Sequence, residues 1–209
     1  MHEFSDDFRA GLTDLMKWRR DVRHFKTDPV DEALIDACLA TLSLAPSVGL
    51  SEPWRVIRVR SDTARAAALD NFQTANDAAL AGYAGDTAKL YASLKLSGMR
   101  EAPEQLAIFC DDTTDKGAGL GAGTMPEMRR YSVVGAVTLM WLHARTHGLG
   151  IGWVSVLEPA RLARDLDVPD GWTLVAYLCL GWPKDVSLTP ELETKGWERR
   201  APALHIEDR

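Results

Sequence analysis

The 209 residues predict a single domain of mixed helices and strands, and three observations carry that prediction. Four short runs, at 54–60, 105–110, 148–155 and 172–180, have the alternation or the uniform apolarity of strands. Between them lie segments whose apolar residues recur every three to four positions, as in helices with one covered face. The 46% hydrophobic content is enough for one core and a subunit interface besides.

Taken in order, Ser5 is placed to cap a first helix in which Phe8, Leu12 and Leu15 recur at four and three. That helix leads into residues 17–26, where five cations, Lys17, Arg19, Arg20, Arg23 and Lys26, meet one carboxylate, Asp21, in a chain of net charge -6. Trp18, Val22 and Phe25 fall between the charges at spacings of four and three, so one side of the segment can be buried while the arginines converge on the other. Planar guanidinium groups grip phosphate oxygens bidentately, so a small phosphate suits this knot. Asp21 would repel such a ligand unless it has its own task, accepting a hydrogen bond or a proton.

A second helix carries Leu34, Ile35, Cys38, Leu39 and Leu42 on one face and stops before Ala45-Pro46. The loop 46–53 offers Ser47 and Ser51 as polar groups, and the strand 54–60 follows. A helix over 61–80 turns Ala66, Leu69, Phe72 and Leu80 to one side. Gly82 and Gly85 around Tyr83 interrupt it before 89–96 resumes, the pattern of a hinged cover over 82–98. Asp111-Asp112 after the second strand reads as a turn, because no third ligand follows at metal-binding spacing.

Gly117, Gly119 and Ala122 nominally fit G-x-G-x-x-A, but an acidic stretch separates them from the strand and no acidic residue closes a second strand about 20 residues on, so a dinucleotide site is rejected. Thr124 and Glu127 are instead spaced as a capping box for a helix running to about Thr146 and ending at Gly148. Val133, Val134, Val137, Leu139, Met140, Trp141 and Leu142 cover most of its circumference, which places it at a core centre or a dimer interface. His143 and His147 on it read as cations at a helix C-terminus rather than metal ligands. Glycines at alternate positions in 148–155 let a flat group approach the backbone closely. After a helix over 159–166, the run 172–180 is the most apolar strand and is expected to be central. Residues 188–209 are polar and broken, a tail either disordered or laid across a partner subunit.

Composition excludes several functions. An acidic chain with one basic knot lacks the distributed cations that nucleic acid requires. The longest uncharged stretch, 131–144, falls short of the ~20 residues of a membrane helix, and the acidic stretch 1–14 has no hydrophobic signal region. Cys38, Cys110 and Cys179 are far apart in apolar runs and read as reduced core residues. A soluble, cytoplasmic protein is expected, with no metal.

The segment Trp18-Arg-Arg-Asp-Val-Arg-His-Phe25, the loop from Ala45-Pro-Ser47 to Glu52-Pro-Trp54, the helix ending in Gly148-Leu-Gly-Ile-Gly152 and the strand Leu178-Cys-Leu-Gly-Trp-Pro183 together resemble the nitroreductase-like flavoproteins over nearly the whole chain. The resemblance implies an α+β fold, an antiparallel-rich sheet flanked by helices, in an intertwined homodimer that holds FMN at its interface. It implies that Arg19, Arg20 and Arg23 hold the FMN phosphate, with Asp21 and Val22 in the same stretch. Ser47 would face the flavin from the second subunit, residues 150–155 would lie along the ring, and Arg199 or Arg200 would close the phosphate site. Residues 1–209 would then be one FMN-binding domain, with a lid at 82–98 and a tail, 188–209, crossing to the partner.

Asp21, Ser51, Thr124-Met-Pro-Glu-Met128 and Tyr131-Ser132 further resemble the 5,6-dimethylbenzimidazole synthase family within that superfamily. This implies an oxidoreductase that fragments reduced FMN with molecular oxygen to 5,6-dimethylbenzimidazole, the lower ligand of cobalamin. Asp21 and Ser155 would be its catalytic residues and Leu96 of the lid a neighbour of the ring. A lid so placed leaves little room for a nicotinamide, so a separate flavin reductase would supply reduced FMN. Water must be kept from the oxygen chemistry, and Asp21 is the carboxylate available to take a proton near the ribityl chain. The competing readings are an NAD(P)H-dependent FMN nitroreductase or flavin reductase, and a non-catalytic flavin-binding protein.

Overall fold

A computed structural model describes residues 3–209. Met1 and His2, the start of the stretch 1–14 read above as free of a signal region, lie outside the described residues. Helix α1 (Asp6–Trp18) begins as expected, with Ser5 Oγ accepting the Phe8 N–H at 3.2 Å. It buries none of its own residues; Phe8 and Leu12 of its apolar stripe are exposed, with Met16 beside them, while Leu15 is half-buried. Periodicity had located the stripe but not what covers it. Helix α2 (Glu32–Ala40), capped by Asp31, buries Ile35 and Cys38 and tightens into a 3-10 turn (Thr41–Leu44) before Pro46.

Strands β1 (Trp54–Arg58), β2 (Glu104–Asp111), β3 (Gly150–Val154) and β4 (Trp172–Gly181) form one sheet in the order β1-β2-β4-β3, every pairing antiparallel. Helices α3 (Asp62–Ala81), α4 (Gly85–Ser93), α5 (Met128–Thr146), α6 (Pro159–Asp165) and α7 (Glu191–Thr194) complete the architecture. The two central strands read as continuous apolar runs because helices cover both faces. Leu106, Ile108, Leu178 and Leu180 face the core shared with α2 and α5, while Ala107, Phe109, Tyr177 and Cys179 face a second core beneath α3 and α6. The alternation is the period of two of a strand, each parity with its own apolar layer. All three cysteines are buried and free; burial pushes the Cys38 thiol up to about 11 and the Cys110 and Cys179 thiols to about 12. Among the described residues no helix is long and apolar enough to cross a membrane.

Three expectations are corrected. The capping box does not form: residues 119–125 continue the turns of the glycine loop, with Met125 N–H on the Gly121 carbonyl at 3.0 Å, and α5 starts at Met128 without a side-chain cap. Helix α5 buries Val133, Val137 and Met140 and leaves Tyr131 and Val134 56% and 39% exposed in the single chain, as either a core or an interface helix allows. Ala66 lies on the outer face of α3, whose buried residues are Ala68 and Asn71. The basic segment is not helical beyond Arg19; it runs extended along β3, bridging at Asp21 to Ile151 and at Phe25 to Pro183. Phe25 is fully buried in this way.

That extended run explains two of the β3 glycines. A Cβ at Gly150 would sit 2.7 Å from a Val22 methyl, and one at Gly152 would sit 2.0 Å from the Val22 carbonyl oxygen. A flat group is expected to approach this strand; at these two positions the approach is made by Val22 of the same chain, with its side chain at Gly150 and its carbonyl at Gly152. Gly152→Ala is expected to cost about 1–3 kcal/mol, with Tm falling about 2–4 °C for each kcal/mol in a chain of this size. Adding Val22→Ala should rescue Gly150→Ala, which clashes with a side chain, but not Gly152→Ala, which clashes with backbone. Calorimetry of the single and double variants checks this, and equal rescue at both positions would reject it.

Candidate active site

The backbone crossing of residues 21–23 over β3 places the first group of site residues. Asp21 Oδ1 accepts the Trp153 backbone N–H at 2.8 Å, and Oδ2 accepts the Arg23 Nε–H at 3.0 Å. Arg23 Nη1 reaches across to donate to the Lys95 carbonyl at 3.3 Å, so this arginine spans from the β3 edge to the segment 82–98. Leu96, the next residue, is half-buried beside a cavity of about 230 Å³ that Leu69, Phe72 and Asn76 of α3 also line. Ser155 lies two residues past Trp153, just beyond the end of β3. It is exposed, and its carbonyl accepts the Leu157 N–H at 3.0 Å. Asp21, Val22, Arg23 and the approach to Ser155 are thus held along one strand, with Leu96 adjoining through Arg23 and Lys95.

The second group is cationic. Arg19 caps α1 and lays its guanidinium over Trp141 at 4.9 Å from the ring centre. Arg20 donates to the Arg19 carbonyl at 3.0 Å and to the Leu188 carbonyl of the tail, while its Nε is buried without a partner. Its pKa is lowered by loss of solvent first, then by the charges of Arg200 and Arg19. A cavity of about 260 Å³ opens here, lined by Arg20, Asp21, Val22, Arg23 and Arg145, with Asp185, Ser187, Thr189 and Glu191 of the C-terminal segment on its other side. His24 pairs with Glu191 at 3.2 Å. Arginines that repel one another, one with an orphaned buried N–H, fit a bound phosphate, which would supply the missing acceptor and the missing charge.

The remaining residues stand apart. Ser47 Oγ accepts the Glu52 N–H at 3.0 Å, and the neighbouring Val48 N–H bonds Ser132 of α5 at 3.1 Å, so its contacts are with its own loop and α5 rather than with the basic segment. Ser51 is buried with its hydroxyl unpartnered. Arg199 is exposed, its N–H bonded to Glu198 at 2.8 Å; it is Arg200 whose charge reaches Arg20. Trp197 packs edge-on against Tyr83 and Tyr91, with ring centres 5.7 and 6.1 Å away, and so rests the tail on the segment 82–98 of the same chain. The helical part of the segment 82–98 is α4, starting at Gly85 rather than near Lys89.

Elsewhere, Asp111 accepts from Thr113 and Arg55, and Asp112 from Arg130 and Thr173, the turn expected there. Gly117 crosses Gly49 so closely that a Cβ would lie 2.3 Å from its carbonyl oxygen, which gives the glycine loop a packing reason. Sequence reasoning missed the Trp153 N–H, the carbonyls of Lys95 and Leu188, and Trp141 and Trp197. The first three are main-chain groups, which leave no mark in residue type.

Comparison with known proteins places this geometry. The sequence model of the nitroreductase family matches residues 16–182. The 5,6-dimethylbenzimidazole synthase of Rhodospirillum rubrum is 54% identical over 199 residues, 95% of this chain and 94% of that protein. A 5,6-dimethylbenzimidazole synthase of Rhodobacter capsulatus is 47% identical over 199 residues, 95% and 96% of the two chains. Among solved structures, iodotyrosine deiodinase bound to FMN and 3-iodo-L-tyrosine superposes with a TM-score of 0.72 at 20% identity, over 95% of this chain and 97% of that one. A nitroreductase family protein from Clostridium novyi gives a TM-score of 0.64 at 19% identity, covering 83% and 86%. At these identities the structural likeness is one of fold.

Proposed function

We propose, from the premise that this chain belongs to the nitroreductase family, that it is a 5,6-dimethylbenzimidazole synthase, an enzyme that consumes reduced FMN and oxygen and releases 5,6-dimethylbenzimidazole. The observation that carries this reading is Asp21: a carboxylate set among phosphate-seeking arginines and held by both oxygens, one on the Trp153 N–H and one on Arg23. A site built only to hold an anion gains nothing from it. Bound reduced flavin supplies the reducing electrons and the ring atoms that become product.

The protein's part is to bind, orient and shield. Arg19, Arg20 and Arg23, with Arg200 from the tail, hold the phosphate end; of the two arginines expected there, Arg199 and Arg200, it is Arg200 whose charge acts on Arg20. Asp21 takes a proton at the ribityl end, and Ser155 donates a hydrogen bond at the ring. Leu96 and the rest of the lid exclude water.

Two subunits complete the site in this proposal. Ser47 is turned away from its own basic segment, and Phe8, Leu12, Tyr131, Val134, Leu50 and Leu120 leave apolar surface open on α1, α5 and two loops. A separate flavin reductase supplies the substrate, and the cytoplasm, which keeps thiols reduced, suits three buried free cysteines.

The test gives the protein free reduced FMN from an independent reductase in air, then separates products by chromatography. Dimethylbenzimidazole is expected to accumulate as FMN disappears. FMN recovered intact, with or without NAD(P)H oxidation, would overturn the proposal in favour of a flavin reductase or a carrier.

A further inference from the structure

Asn71 lies in the middle of α3 with 1% of its surface exposed, and its carboxamide serves a different part of the chain. Nδ2 donates to the Glu158 carbonyl at 3.0 Å and Oδ1 accepts the Glu158 N–H at 2.8 Å. One side chain thus reads both main-chain groups of a single residue, as a neighbouring strand would. A buried carboxamide is kept in an apolar helix interface only if such bonds are made, and these two fix the position of Glu158 in all directions. Glu158 caps α6, its carboxylate accepting the Arg161 N–H at 3.2 Å.

The consequence falls on Ser155. Only Ser155, Val156 and Leu157 separate the end of β3, paired at Val154 with Tyr177, from Glu158, and the Leu157 N–H closes them onto the Ser155 carbonyl at 3.0 Å. A span this short, anchored at both ends, has little freedom, whereas one anchored only at β3 would swing. The anchoring helix is also the one that leads through Gly82 into the lid, and Asn76 of the same helix bonds the Tyr91 hydroxyl of α4 at 2.9 Å. We infer that Asn71 is a positioning residue for Ser155, the point at which the lid-bearing helix sets the turn 155–158. This rests on the role given to Ser155 in the preceding subsection.

Two variants test it. Asn71→Ala removes both bonds, and Asn71→Ser does so while its hydroxyl can turn back to its own helix, a second route to a folded protein. Amide exchange across 155–160 should rise about tenfold in either variant, with β4 protection unchanged, because the opening is local. FMN affinity should stay within about threefold while the fraction of consumed FMN that becomes dimethylbenzimidazole falls about tenfold, the loss of a group misplaced rather than removed. In a Ser155→Ala background Asn71→Ala should cause no further fall, since the two act through one group. Unchanged exchange at 155–160, an equal further fall in the Ser155→Ala background, or a loss that follows FMN affinity would each overturn the inference. Full product from Ser155→Ala with fast exchange in Asn71→Ala would overturn the role of Ser155 and leave the anchor standing.

Discussion

Asp21→Asn is expected to lower dimethylbenzimidazole formation by about a hundredfold or more, the scale on which a positioned general base acts, while FMN continues to bind. The native carboxylate accepts two N–H bonds, from Trp153 and from Arg23, and an asparagine side chain offers one acceptor. One donor is therefore left facing an NH2 group, and a buried donor so stranded costs about 1–3 kcal/mol. The Trp153 N–H is fixed in the main chain, whereas Arg23 can swing away, so the amide oxygen should stay on Trp153 and Arg23 should be released. A released arginine and a missing negative charge both favour an anionic ligand, so FMN affinity should hold or rise. The measurement pairs a flavin titration with chromatography of the aerobic reaction. Full product from the variant, or product loss that merely follows lost FMN binding, would remove Asp21 from the chemistry.

The sequence was most legible where one element settles its own fate. The central strands announce themselves because both faces are covered, and α3 and α5 because their length and spacing leave no other reading. Legibility falls where distant residues decide. The spacing of Trp18, Val22 and Phe25 suits a helix face, yet the segment is extended because it pairs with Ile151, more than a hundred residues on. Alternate glycines in β3 marked a close approach correctly, but only the fold names Val22 as what approaches. The stripe on α1 was visible as a pattern, and a pattern does not say whether its cover is the same chain. Asp21 stood out because a carboxylate among arginines is electrostatically out of place. Its anchor, the Trp153 N–H, and the pairing of Asn71 with Glu158 were hidden because main-chain groups are the same in every residue.

Ending the chain at Ser187 should weaken FMN binding by about tenfold or more, because at least one charge-assisted bond of about 1.5–3 kcal/mol is lost. The truncation has opposing effects. It frees Arg20 from the Leu188 carbonyl and His24 from Glu191, which helps an incoming phosphate; it also removes Arg200 beside Arg20 and lifts Trp197 from Tyr83 and Tyr91. The carbonyl bond is the smaller quantity, since a neutral hydrogen bond contributes about 0.5–1.5 kcal/mol net. Riboflavin, which lacks the phosphate, should lose less affinity than FMN, so the ratio of the two constants isolates the net effect on phosphate binding, the loss of Arg200 set against the release of Arg20. Leu204 and Ile206 are 82% and 72% exposed on their own chain, and the tail is proposed to place them on a second subunit. The truncated protein should therefore sediment increasingly as monomer on dilution while the full chain remains dimeric. A truncated chain that stays dimeric and keeps full FMN affinity would show that neither the arginine nor the aromatic contact of the tail serves the site.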